Sequence, residues 1–243
     1  MESETMFCYQ CEQTAKGKAC DKMGVCGKDP EVSALQDLLV YALTGLAVVA
    51  VEGRKTGIVD SEINVFTAKA LFSTLTNVNF DPGRIVELIK KCVNLRESLK
   101  NKIKKAGGKL DEKNKVVTFQ PAISKVELLK QAEIAGLKAD AAADPDILSL
   151  KHTVLFGVKG VAAYADHAQI LGQEDDIVYA FIHEALAATL RSDLDLNAWV
   201  ALVLKCGEIN LRTMELLDAG NTTAFGHPVP TKVPLGAKKG KAI

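Results

Sequence analysis

From residue 29 onward, apolar positions recur every three to four residues, which is the spacing that puts them on one face of a helix. Ile147, Leu150, Val154, Val158, Val161 and Ala165 make one such stripe. Leu196, Trp199, Val203, Cys206, Ile209 and Leu216 make another. This periodicity predicts helices at about 31–53, 61–77, 82–105, 124–137, 145–171, 174–190 and 193–219.

Start and stop signals sharpen those limits. Asp29-Pro30, Asp81-Pro82 and Asp144-Pro145 each put a capping carboxylate before a proline at the first helical position. Ser124 followed by Glu127 has the spacing of a capping box. Gly172 and Gly220 stand where a left-handed residue would end a helix. Between Ala106 and Pro121 the period fails, and Val116-Val117-Thr118-Phe119 reads as a short strand or an extended linker. The expectation is therefore an all-α fold: two antiparallel helical bundles, with two or three long helices on either side of that break, behind a cysteine-rich loop. In numbers, this gives a loop over 1–28, a first bundle with linker over 29–120, a second bundle over 121–220, and an extended segment over 221–243. Pro228, Pro230 and Pro234 mark that last segment, where Val233 and the final Gly-Lys-Ala-Ile look like the approach to a strand in downstream sequence.

Composition narrows the function. Thirty basic residues balance thirty acidic ones, which gives no reason to expect nucleic acid or a membrane surface as a partner. The stretch Leu38–Val51 is shorter than the roughly 20 apolar residues that span a bilayer, and Met1–Thr5 is too polar to begin a secretory signal. The cytoplasm is the expected location. There is no glycine-rich phosphate loop and no nucleophile elbow, and the basic runs Lys100–Lys109 and Lys238–Lys241 read as solvated. A di-iron bundle would need Glu three residues before a histidine, but Ser149, Tyr164, Ala180 and Ala224 precede His152, His167, His183 and His227. His167 and His183 read as surface or partly buried polar groups. Asp175-Asp176 reads as a helix first turn and Glu184 as part of a solvated face.

The chemistry lies in the cysteines. Four of the six, Cys8, Cys11, Cys20 and Cys26, form a Cys-x2-Cys-x8-Cys-x5-Cys loop, whereas Cys92 and Cys206 lie on apolar helix faces and read as core. Four thiolates suit an iron–sulfur cluster or a structural zinc, and a redox arrangement is the third reading. The uneven x5 gap departs from the paired zinc signature. Lys16, Lys18, Lys22 and Lys28 lie in or beside the loop. They read as solvated side chains, or as a basic rim that docks an acidic electron donor such as a ferredoxin.

Longer stretches resemble a known family. Met6-Phe-Cys-Tyr-Gln-Cys-Glu-Gln-Thr-Ala15 and Gly24-Val-Cys-Gly27 are similar to the N-terminus of the hybrid cluster proteins, also called prismane proteins or hydroxylamine reductases. So are Leu35–Leu39, Leu71–Thr76, Gly157–His167 and Leu217–Thr223. The resemblance implies a helical first domain of two three-helix bundles, with Cys8, Cys11, Cys20 and Cys26 matching the ligands of a [4Fe-4S] cluster near the surface. A branch of the family with wider gaps carries [2Fe-2S] instead. It also implies a separate hybrid Fe–S–O cluster, held by His, Glu and Cys residues of two further domains, that reduces hydroxylamine to ammonia and is linked to nitric oxide. None of those hybrid-cluster ligands can be matched here, so no catalytic residue is assigned. The implied role is an electron-entry domain fed by a ferredoxin-like or flavin protein and acting on the remaining domains of the parent protein. The alternatives are a stand-alone electron-transfer or metal-stabilised helical module without catalysis, and a structural zinc domain.

Overall fold

The computed structural model describes residues 6–137 and 144–232. Within them the chain is all-α and contains no strand, only an isolated antiparallel bridge between Cys8 and Cys20. A 3-10 turn at Ala15–Gly17 lies in the cysteine loop. Eight helices follow: α1 (Pro30–Lys55), α2 (Ser61–Phe72), α3 (Pro82–Lys105), α4 (Lys115–Thr118), α5 (Lys125–Ala132), α6 (Pro145–Ile170), α7 (Asp176–Ala188) and α8 (Leu196–Phe225).

The starts follow the capping signals. Asp29 accepts from the Val32 amide, Asp81 from Arg84 and Asp144 from Ile147, each with proline in the first turn. Ser124 and Glu127 close their capping box, with Ser124 Oγ 2.8 Å from the Glu127 carboxylate. Each cap satisfies amides that the first helical turn leaves without partners.

The ends differ more. α2 stops five residues before the expected limit, because Ser73 and Thr74 turn their hydroxyls onto the Ala70 and Leu71 carbonyls and Asn77 adopts φ 62°. α5 stops at Ala132, and the chain turns through Gly136 at φ 87°. Gly172, at φ 75°, ends α6 as its spacing implied. Gly220 does not end α8, which runs on to Phe225 and closes at Gly226 with φ 77°. A Cβ at Gly220 would lie 2.9 Å from Leu171 Cβ, so this glycine serves a close helix approach instead of a cap. The extended segment therefore begins after Phe225, and the strand approach at Val233 lies outside the described residues.

Val116–Phe119 is neither strand nor linker. Asn114 caps a single helical turn there by accepting from the Val116 amide at 3.1 Å. Arg96 of α3, fully buried, donates to the carbonyls of Val116 at 3.1 Å and Phe119 at 2.6 Å. Gly45 of α1 makes room, since a Cβ there would lie 2.3 Å from the Val116 carbonyl oxygen.

α1 is the central helix, packing against α3 and α7 and touching α4 and α5, while α2 lies on α6 and α6 on α8. Leu35, Leu38, Leu39, Leu43 and Leu46 of α1 are fully buried, each worth about 2 kcal/mol by area. They join one continuous apolar core with Val154, Val158 and Val161 of α6 and Trp199 of α8. α1 is long and apolar enough to cross a membrane, yet 67% of its most apolar window is buried inside this fold. On α8, Leu196 leaves the predicted stripe and is exposed. Lys100 leaves its solvated run and is buried, 3.0 Å from the Glu97 carboxylate.

Candidate metal centre

The cysteine loop is shaped mainly by its own backbone. Cys8 and Cys20 exchange hydrogen bonds, Cys8 N to Cys20 O at 3.1 Å and Cys20 N to Cys8 O at 2.8 Å, which places these cysteines opposite one another. After Cys11, Thr14 turns the chain by donating from its amide and its hydroxyl to the Cys11 carbonyl. Lys16 and Gly17 follow with φ 55° and 63°, a pair of left-handed residues that reverses direction before Cys20. The last cysteine lies in a second turn, closed by Gly24 N to Lys28 O at 2.7 Å and Gly27 N to Gly24 O at 2.8 Å. A Cβ at Gly24 would approach the Cys26 sulfur to 2.9 Å, so a side chain there would press on the thiol.

All four predicted cysteines line one small cavity, floored by Leu75, Thr76 and Phe80 from the α2–α3 turn. Cys20 is buried, and Cys8, Cys11 and Cys26 are partly exposed. Among the described residues, no three His, Cys, Asp or Glu side chains gather tightly enough for a single metal ion. Four thiols lining one cavity are a donor set that either a structural zinc or an iron–sulfur cluster could use.

The two residues between Cys8 and Cys11 are held from the far half of the chain. The Tyr9 hydroxyl is hydrogen-bonded to Nδ1 of His152 on α6, and its ring stands edge-on to Phe156 with centroids 5.5 Å apart. Gln10 donates to the Thr74 carbonyl at 3.3 Å and accepts from the Lys159 ammonium at 3.1 Å. His152, Phe156 and Lys159 are four and three residues apart, so one face of α6 clasps the Cys-x2-Cys turn. Neither the clasp nor Lys159 was anticipated as part of the site. The available signal was a lone lysine in the apolar run from Gly157 to Ala163.

The loop lysines divide. Lys16, Lys18 and Lys22 are exposed as expected. Lys28 is not a solvated side chain: it is buried, donating to Cys8 Sγ at 3.4 Å and to Gln36 Oε1 at 3.2 Å. Gln36 in turn donates to the Asn79 carbonyl at 2.9 Å. Behind Cys8 opens a cavity of about 170 Å³ bordered by Lys28, Asp37 and Lys159. Burial pushes the Asp37 carboxyl up to about 6, against the pull of Lys159 and Lys28. Burial pulls Lys159 down to about 8, opposed by Asp37 and Cys8.

The remaining candidates lie elsewhere. Cys92 and Cys206 are buried in helices, where desolvation pushes their thiols up to about 12 and about 11 and keeps them protonated. His167 is exposed and bonds the Ala163 carbonyl. His183 corrects the expectation of a surface or partly buried group: it is fully buried on α7, with Nε2 3.2 Å from Thr67 Oγ1 and Nδ1 unpartnered. Asp175 caps α7 and Asp176 pairs with Arg54 at 2.5 Å, while Glu184 is exposed and pairs with Lys205.

The sequence matches the model of the Prismane/CO dehydrogenase family over residues 6–243. Similar proteins include one named hydroxylamine reductase in Syntrophobacter fumaroxidans, 66% identical over 98% of this chain and 44% of its own length. Proteins of the same name in Methanocella arvoryzae and Solidesulfovibrio magneticus are 61% and 60% identical, again over 98% of this chain and 44% of theirs. The chain thus spans less than half the length of these relatives.

Proposed function

Since the chain belongs to the Prismane/CO dehydrogenase family, we propose that it is the electron-entry part of a hydroxylamine-reductase-type hybrid cluster protein, with Cys8, Cys11, Cys20 and Cys26 holding a [4Fe-4S] cluster. The observation that carries this reading is the convergence of those four thiols, and of neither remaining cysteine, on one cavity. A cluster bound there supplies reversible one-electron chemistry.

The chain's own groups do the rest. The Cys8–Cys20 bridge and the α6 clasp fix two corners of the site. Gly24 leaves space for the Cys26 sulfur, and Lys28 donates to Cys8 Sγ. Partial exposure of Cys11 and Cys26 leaves that side open to a redox partner, and exposed Lys16, Lys18 and Lys22 favour an acidic one, such as a ferredoxin-like or flavin protein. The hydroxylamine-reducing centre would lie in the part of the relatives' length that the match does not cover, and the cytoplasm is the proposed location.

Single Cys→Ser variants test the assignment by anaerobic reconstitution and visible absorption. Changes at Cys8, Cys11, Cys20 or Cys26 are expected to lose the broad iron–sulfur absorption, while Cys92→Ser and Cys206→Ser keep it if the chain stays folded. Equal loss from a core-cysteine variant that retains its helical circular dichroism would contradict the ligand set.

A further inference from the structure

Two ammonium groups are buried beside Cys8, and their polar contacts are not carboxylates. Lys28, at the end of the cysteine loop, and Lys159, on α6, are each 6% exposed. Lys28 donates to Cys8 Sγ and Gln36 Oε1, and Lys159 donates to Gln10 Oε1. Among the described residues neither forms an ion pair, and the one carboxylate bordering their shared cavity is Asp37. Removing an ammonium from water costs several kcal/mol even after relaxation, and neutral amides offset only part of that. Set against Asp37 alone, two such groups behind Cys8 leave one positive charge in excess, and the complementary negative charge belongs on the other side of Cys8, in the adjoining cavity that all four cysteines line.

We propose that Lys28 and Lys159 are the fixed counter-charges of the cluster held by Cys8, Cys11, Cys20 and Cys26, raising its reduction potential and favouring its assembly. This rests on the cluster reading above. A four-thiolate cubane carries net negative charge, and a further electron adds to it, so a nearby buried cation stabilises the reduced form more than the oxidised form. Lys16, Lys18 and Lys22 carry the same charge but stand in water, where solvent and salt screen them. The two sets therefore separate: the buried pair sets the potential, and the exposed set governs encounter with a donor. Lys159 also makes the potential depend on α6, about 150 residues from the loop along the chain.

The test is a redox titration of the anaerobically reconstituted chain at low and high salt, with iron and sulfide measured in every sample. Lys28→Met and Lys159→Met keep much of the side-chain volume and lose the charge. Each is expected to shift the reduction equilibrium about tenfold toward the oxidised form, about 59 mV for one electron, at both salt concentrations. Lys159→Arg should retain the wild-type potential, as should the combined Lys16→Gln, Lys18→Gln and Lys22→Gln variant. Loaded Met variants with the wild-type midpoint would overturn the proposal. If Lys159→Met fails to load, loading by Lys159→Arg supports a requirement for charge, and failure of both assigns Lys159 a role in shape and overturns it. A wild-type chain that takes up no iron would instead refute the cluster assignment itself.

Discussion

His183 shows at the scale of one residue how burial becomes pH dependence. Its imidazole lies in the core, so desolvation, helped by the Arg54 guanidinium, pulls it from about 6.5 down to about 3. The folded chain keeps the ring neutral where the unfolded chain would protonate it. Unfolding therefore takes up a proton below about pH 6.5, and stability is lost as pH falls from there toward 3, by at most about 1.4 kcal/mol per pH unit. Asp37 acts in the opposite sense between about 4 and 6, because its carboxyl is raised and the folded state binds the extra proton. The difference between wild type and His183→Gln isolates the histidine. Urea unfolding at pH 7, 6 and 5 should show the wild type losing stability relative to the variant at each step, and parallel curves would contradict the buried neutral imidazole. The sequence placed His183 on a helix but not inward, because an apolar stripe marks a face without saying which polar neighbours are carried under it. The same blindness put Lys28 in solvent. The cysteines themselves were legible because their chemistry depends on short spacing along the chain.

Among the elements, helix starts were readable and helix ends were not. A start is written locally, in Asp-Pro or Ser-x-x-Glu, whereas an end depends on what the last turn meets. Gly220 and Gly172 look alike in sequence, yet Gly172 has the left-handed φ of a helix end and Gly220 lies inside α8 against Leu171. Gly45 is the sharper instance, admitting the Val116 carbonyl that turns a β-branched run into the helical turn α4. Adding a methyl group at such a contact forces backbone apart, so Gly45→Ala is expected to destabilise the chain by about 1–3 kcal/mol in urea unfolding. Gly160→Ala, where a Cβ would meet nothing within 4 Å, should be neutral or slightly stabilising. Equal effects from the two would contradict the packing account of α4. The α6 clasp was hidden for a related reason: His152, Phe156 and Lys159 reach Tyr9 and Gln10 across some 145 residues, a relation no periodicity encodes.

For the whole molecule, the all-α class followed from periodicity and holds among the described residues, while the family match runs over residues 6–243. The packing brings both halves of the chain to the cysteine loop: α1 and the α2–α3 turn floor and buttress it, and α6 holds it from the other side. The proposed division of labour, electron entry here and hydroxylamine chemistry in the remaining length of the relatives, stands on the nature of the centre those four thiols hold. Its most direct test is the count of iron, acid-labile sulfide and zinc in the anaerobically purified chain. About four irons and four sulfides per chain, without zinc, are expected. One zinc per chain without iron, or two irons with two sulfides, would contradict the [4Fe-4S] assignment.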